Sequence, residues 1–99
     1  MSPLPAFLTL RNGELHFEGV PLSRLAHEHG TPLFVYSKAA MLEALAAYQR
    51  GLSGRKHLIC YAMKANSSLA ILQTLVREGC GLDLVSGGEL ERALAAGVD

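Results

Sequence analysis

With 99 residues, nine basic side chains against nine acidic ones and 49% apolar residues, the chain has room for one small domain and the balance of an ordinary globular sequence. The even charge leaves no field to attract nucleic acid or an anionic membrane, and no basic run concentrates one locally. Charges interrupt each apolar stretch short of a bilayer's thickness. Met1-Ser2-Pro3-Leu4-Pro5 lacks the charged start and long apolar core of a signal peptide, so a reducing cytoplasm is the expected setting.

Residues 11–20 read as a hairpin, because Asn12-Gly13 is a strong turn dipeptide and Leu15, Phe17 and Val20 follow in rough alternation. Pro21 suits the first position of a short helix, where its missing N–H costs nothing. Leu22, Leu25 and Ala26 would share a face of that helix, and Gly30 would stop it. Thr31-Pro32 returns the chain to an extended form. Leu33-Phe34-Val35-Tyr36 then reads as a strand, and Ser37 as the N-cap of an alanine- and leucine-rich helix through Tyr48, ended by Gly51 to Gly54.

His57 to Met63 is the most apolar strand candidate. It does not alternate, as expected of a strand buried on both faces in a parallel sheet. Asn66 or Ser67 caps a helix with Leu69, Leu72, Leu75 and Val76 inside, closed by Gly79 and Gly81. Leu82 to Val85 is a further strand, and Ser86 starts a helix through Leu90, Ala93 and Leu94, stopped by Gly97. Strand and helix alternate from residue 31 onward, which predicts βαβ units and a parallel sheet.

The candidate chemistry lies at the ends of these strands. Lys64 follows an apolar strand and precedes the polar run Ala65-Asn66-Ser67-Ser68, where parallel α/β proteins place their active sites. Desolvation there would help an amine condense with an aldehyde. Position alone favours the plain alternative, a strand-end lysine reaching out to water. Asp83 sits within an apolar strand, where a carboxylate is costly unless paired. Ser86-Gly87-Gly88-Glu89 matches a capping box, so Glu89 has a helix-capping role available beside any site role. Gly87-Gly88 at a helix start could let backbone N–H groups approach an anion, or could simply form a tight turn.

Other chemistries find no support. His27 and His29 would not share a helical face, no cysteine–histidine spacing suits a metal, and phosphate-loop and dinucleotide fingerprints are absent. Cys60 and Cys80 read as two reduced, partly buried thiols, Cys60 packing as a small hydrophobe in its strand and Cys80 lying in a turn.

Tyr61-Ala62-Met63-Lys64-Ala65-Asn66 resembles the lysine motif of the alanine-racemase-like, barrel-type pyridoxal phosphate enzymes. The block Gly81 to Leu90, the lead-in Gly30 to Ser37 and the opening Arg11 to Leu15 are similar to the decarboxylase branch of that group, the diaminopimelate decarboxylases above all. The resemblance implies an α/β fold, the first βα units of a (β/α)8 barrel over residues 31–99. It also implies an N-terminal β segment, residues 1–30, that joins a separate β domain.

The same resemblance implies pyridoxal 5′-phosphate as cofactor, held by Lys64, with Asp83 and Glu89 near it. It implies a small amino-acid substrate, meso-diaminopimelate decarboxylated to lysine, and a homodimer whose partner completes the site. A barrel of this kind needs roughly 250 residues, so these 99 residues alone are expected to be inactive. An arginine or ornithine decarboxylase, an amino-acid racemase and a non-catalytic cofactor-binding module stay open as alternatives, although Ser86-Gly87-Gly88-Glu89 argues against a racemase.

Overall fold

The computed structural model describes residues 4–5 and 7–98. Met1, Ser2, Pro3, Ala6 and Asp99 lie outside the described residues, and with them most of the opening segment read for a leader and the last residue after the final helix. The chain divides into two compact units, Met1–Met41 and Leu42–Asp99.

The first unit is built by its turns. Strands β1 (Leu8–Arg11), β2 (Glu14–Phe17) and β3 (Val20–Pro21) form an antiparallel sheet in that order. Asn12 and Gly13 take φ of 51° and 77°, the mirror-image turn whose twist matches paired strands, and set Arg11 opposite Glu14 and Leu8 opposite Phe17. Glu18 and Gly19 repeat the device at 51° and 82° and set Phe17 opposite Val20. The hairpin expected over 11–20 is therefore the middle of a three-stranded meander. Its second turn carries no such sequence signal, because a glutamate, poorly suited to positive φ, precedes the glycine.

Helix α1 (Leu22–His29) follows directly, with Pro21 as its flanking cap residue rather than its first turn residue. Gly30, at φ 79°, ends it by donating its N–H to the Ala26 carbonyl at 2.8 Å. The Thr31–Pro32 peptide bond is cis. Leu33 to Tyr36, expected as a strand, is not one: it joins no ladder among the described residues, and Phe34 is 87% exposed. Four apolar residues with strand preference encode an apolar surface, and a strand requires a partner as well. Ser37 caps as expected. It is buried, and its Oγ accepts the Ala40 N–H at 2.9 Å at the start of α2 (Lys38–Gly51).

The second unit is a βαβ motif with a further helix. Strands β4 (Cys60–Ala62) and β5 (Gly81–Asp83) are parallel, with Cys60, Tyr61 and Ala62 opposite Gly81, Leu82 and Asp83. Helix α3 (Leu69–Arg77) connects them, and α4 (Gly87–Ala95) follows. The expected strand over 57–63 is shorter at both ends, although the Ile59 carbonyl still takes the Gly81 N–H at 2.9 Å. Its last residue, Met63, instead opens a 3₁₀ turn, Met63–Ala65.

Met63, Leu72, Ala93 and Ala96 form a core cluster, with Tyr61, Leu82, Leu84 and Val98 packed around it. One expected helix face shifts. In α3 the buried residues are Ile71, Leu72 and Leu75, whereas Leu69 is exposed. Ala93 in α4 and its C-cap residue Ala96 are the small residues that face inward and let the helix approach closely, while Leu90 and Leu94 are exposed. One of the two cysteines differs from expectation. Cys80 is buried as expected, whereas Cys60, which begins β4 with its Sγ over the bare face of Gly81, is exposed. Among the described residues no helix is long and apolar enough to cross a membrane.

Candidate active site

The parallel pairing of β4 and β5 assembles the site. Ala62 lies opposite Asp83 at the C-terminal end of the pair, and Lys64 comes two residues after Ala62. In a parallel sheet both strands therefore end at one edge, where the peptide chain must turn and side chains escape the packed interior. Met63 is 1% exposed and anchors the 3₁₀ turn in the core. Its neighbour Lys64 is turned outward and exposed. The desolvation expected at Lys64 is thus not supplied by these residues. Asp83 is likewise exposed as the last residue of β5, so the burial that made a carboxylate there costly does not occur.

Glu89 does what a capping box requires, with one residue's difference. Its N–H donates to Ser86 Oγ at 3.1 Å, and its Oε1 accepts the N–H of Val85, not of Ser86, at 2.7 Å. The carboxylate therefore ties the end of the β5 segment to the first turn of α4. A Cβ added at Gly87 or Gly88 would meet nothing within 4 Å, so the backbone at this helix start stands open.

Two contributors were not legible as site residues. Tyr61 donates its hydroxyl to the Asn66 carbonyl at 2.8 Å and closes the loop that carries Lys64. Its place in the lysine motif was a signal, but its hydroxyl's target was not. Arg92 Nη1 donates to the Ser67 carbonyl at 3.3 Å from a position 25 residues later, which no local pattern reveals. Asn66, expected with Ser67 as one of two alternative helix caps, has a different role. Its Oδ1 accepts the Ser68 N–H at 2.9 Å, and Ser68 occupies the cap position of α3 without a side-chain cap bond.

This edge has the chemistry that an aldehyde cofactor with an anionic tail needs: an exposed primary amine, a carboxylate on the adjoining strand end and an open helix start. Residues 38–99 match the pyridoxal binding domain of the pyridoxal-dependent decarboxylases. The chain belongs to the pyridoxal-dependent decarboxylase family.

Relatives within the family agree with that assignment. A diaminopimelate decarboxylase of Pseudomonas aeruginosa is 54% identical over 89 residues, which is 90% of this chain and 21% of that protein. A crystal structure of an Aquifex aeolicus protein superposes with a TM-score of 0.88 at 46% identity, over 93% of this chain and 23% of the other. A diaminopimelate decarboxylase of M. jannaschii, solved with L-lysine, gives a TM-score of 0.85 at 35% identity, over 94% of this chain and 23% of that one. The chain therefore spans about a fifth of the length of the relatives it matches. The α/β architecture expected from its sequence is the architecture of the corresponding part of these two structures.

Proposed function

We propose that this chain contributes the cofactor lysine and its neighbouring acids to a diaminopimelate decarboxylase, which releases carbon dioxide from meso-diaminopimelate and forms lysine. The observation that carries the reading is the β4–β5 register, which brings Lys64 and Asp83 to the same edge. The family match and the names borne by the relatives support it.

In this reading Lys64 holds pyridoxal phosphate through its ε-amine, and the exposure of that amine leaves it accessible to the aldehyde. When bound, the cofactor supplies an electron sink for the pair released at a substrate's α-carbon. Asp83 would provide a carboxylate from the strand end that adjoins the Lys64 turn. Glu89, while capping α4, fixes the Val85–Ser86 backbone beside it. The open backbone at Gly87 and Gly88 gives an anionic group room to approach the first turn of α4.

We assign residues 31–99 to the first βα units of a (β/α)8 barrel and residues 1–30 to a segment that joins a separate β domain. The working enzyme is a cytoplasmic homodimer acting on a small amino acid.

The test grafts the chain in place of the matching segment of the Pseudomonas aeruginosa enzyme. The graft is expected to form lysine from meso-diaminopimelate, with arginine and ornithine poor substrates and no racemisation of alanine. Lys64→Ala is expected to abolish turnover. Turnover that survives Lys64→Ala, or a preference for arginine or ornithine, contradicts the assignment.

A further inference from the structure

The turn that carries Lys64 is held from both sides by other parts of the chain. Upstream, Met63 is locked in the core. Downstream, three consecutive residues each have a fixed partner. The Asn66 carbonyl accepts the Tyr61 hydroxyl at 2.8 Å, the Ser67 carbonyl accepts Arg92 Nη1 at 3.3 Å, and the Ser68 N–H donates to Asn66 Oδ1 at 2.9 Å. Lys64 itself is exposed, so no packing fixes its side chain. Its place at the sheet edge is inherited from the backbone on either side.

Arg92 has an unusual use of its charge. Among the described residues the ion pairs are Arg24–Glu28 and His29–Glu28, so Arg92 has no carboxylate partner. A basic residue in the last turn of a helix ordinarily complements the helix dipole at its own end. Here the long side chain reaches out of α4 to a loop carbonyl that belongs to no strand ladder, and hydrogen bonds with a charged donor are stronger than neutral ones.

We propose that Arg92, together with Tyr61, is a positioning residue for Lys64: the guanidinium on the Ser67 carbonyl and the phenol on the Asn66 carbonyl fix the Met63–Ala65 turn, so that the amine is presented at one place on the β4–β5 edge. The proposal rests on the reading of Lys64 as the cofactor lysine. It makes α4 do two things at this edge, opening its first turn toward the site and bracing the lysine's loop from its last.

The chain has three lysines, Lys38, Lys56 and Lys64, which supply an internal control. Pyridoxal phosphate is added to the full chain and the adduct is fixed by borohydride. Peptide mass analysis then reads the share of pyridoxyl group on each lysine. Amide hydrogen exchange over 64–68 is the second readout and needs no cofactor.

Arg92→Met is expected to lower the Lys64-to-Lys56 labelling ratio by about fivefold, the equivalent of one ordinary hydrogen bond. It should speed exchange in the 64–68 loop and leave β4 and β5 unchanged. Arg92→Lys, which keeps a charged donor, should recover most of the ratio. Tyr61→Phe should lower the ratio without Arg92 being touched. An unchanged ratio in Arg92→Met overturns the proposal, as does a fall accompanied by faster exchange throughout β4 and β5, which would make Arg92 a stability residue. Even labelling of all three lysines in the unsubstituted chain would refute the cofactor-lysine reading. The loop exchange would then still decide whether Arg92 holds the turn.

Discussion

The two units are held together in opposite ways. Among the described residues every buried apolar side chain lies in the second unit, from Leu45 to Ala96, whereas the buried residue of the first is Ser37, which caps a helix. The first unit instead has its backbone specified residue by residue, with two mirror-image turns, a glycine stop and a serine cap in 41 residues. It also keeps an open apolar cleft of about 580 Å³, lined among others by Leu8, Phe17, Leu22 and Val35. Local chemistry can fix the course of a chain without burying much of it. A site that must hold an amine at a sheet edge needs a core behind it, and Lys64 stands in the unit that has one.

The largest expected effect falls on that core. Leu72 has no exposed surface, so Leu72→Ala should destabilise the second unit by about 2–5 kcal/mol in a denaturant titration. The same truncation at the exposed Leu10 should cost no more than about 0.5 kcal/mol. Equal costs would erase the contrast between the units.

Gly13→Ala attacks the first unit where it is specified. A side chain at φ 77° is expected to cost about 1–2 kcal/mol and to loosen exchange in β1 and β2. Gly81→Ala is a milder trial of the second unit. Its Cβ would lie 2.9 Å from Cys60 Sγ, and because that thiol is exposed it can rotate aside, for about 0.5–1.5 kcal/mol. Cys60→Ala in the same chain should remove most of that cost.

The smallest effect is kinetic. Burial, then the neighbouring Cys60 and Glu78, push the Cys80 thiol above its ordinary value. The thiolate is the reactive form, so a neutral-pH alkylating agent should modify Cys60 well before Cys80. The folded Cys80 holds its proton to higher pH than the unfolded one. Its contribution to stability is thus intact below the ordinary thiol pKa and is lost as pH rises through the raised value. Faster labelling of Cys80 would contradict its place in the core.

What the sequence revealed depended on how local the determining physics was. Asn12-Gly13, Gly30, Ser37 and Ser86 act within four residues, and each does what its residue type predicts. Leu33 to Tyr36 failed because pairing is a property of two segments, and its apolar residues spoke only for one. In α4 the apolar residues did not say which of them faced inward. The small Ala93 and Ala96 were chosen by the fit against Met63 and Leu72. The candidate site divides along the same line. Lys64 and Asp83 were visible from strand ends and motif, and the capping by Glu89 from its spacing. Arg92 acts on Ser67 across the fold and left no trace in the pattern.

The central claim is that Lys64, and not simply any exposed lysine, is the residue that takes the cofactor. The most direct measurement is a map of the borohydride-fixed pyridoxyl group over Lys38, Lys56 and Lys64 at limiting pyridoxal phosphate. The group should be found predominantly on Lys64. A distribution shared evenly among the three, or one led by Lys38 or Lys56, would contradict it.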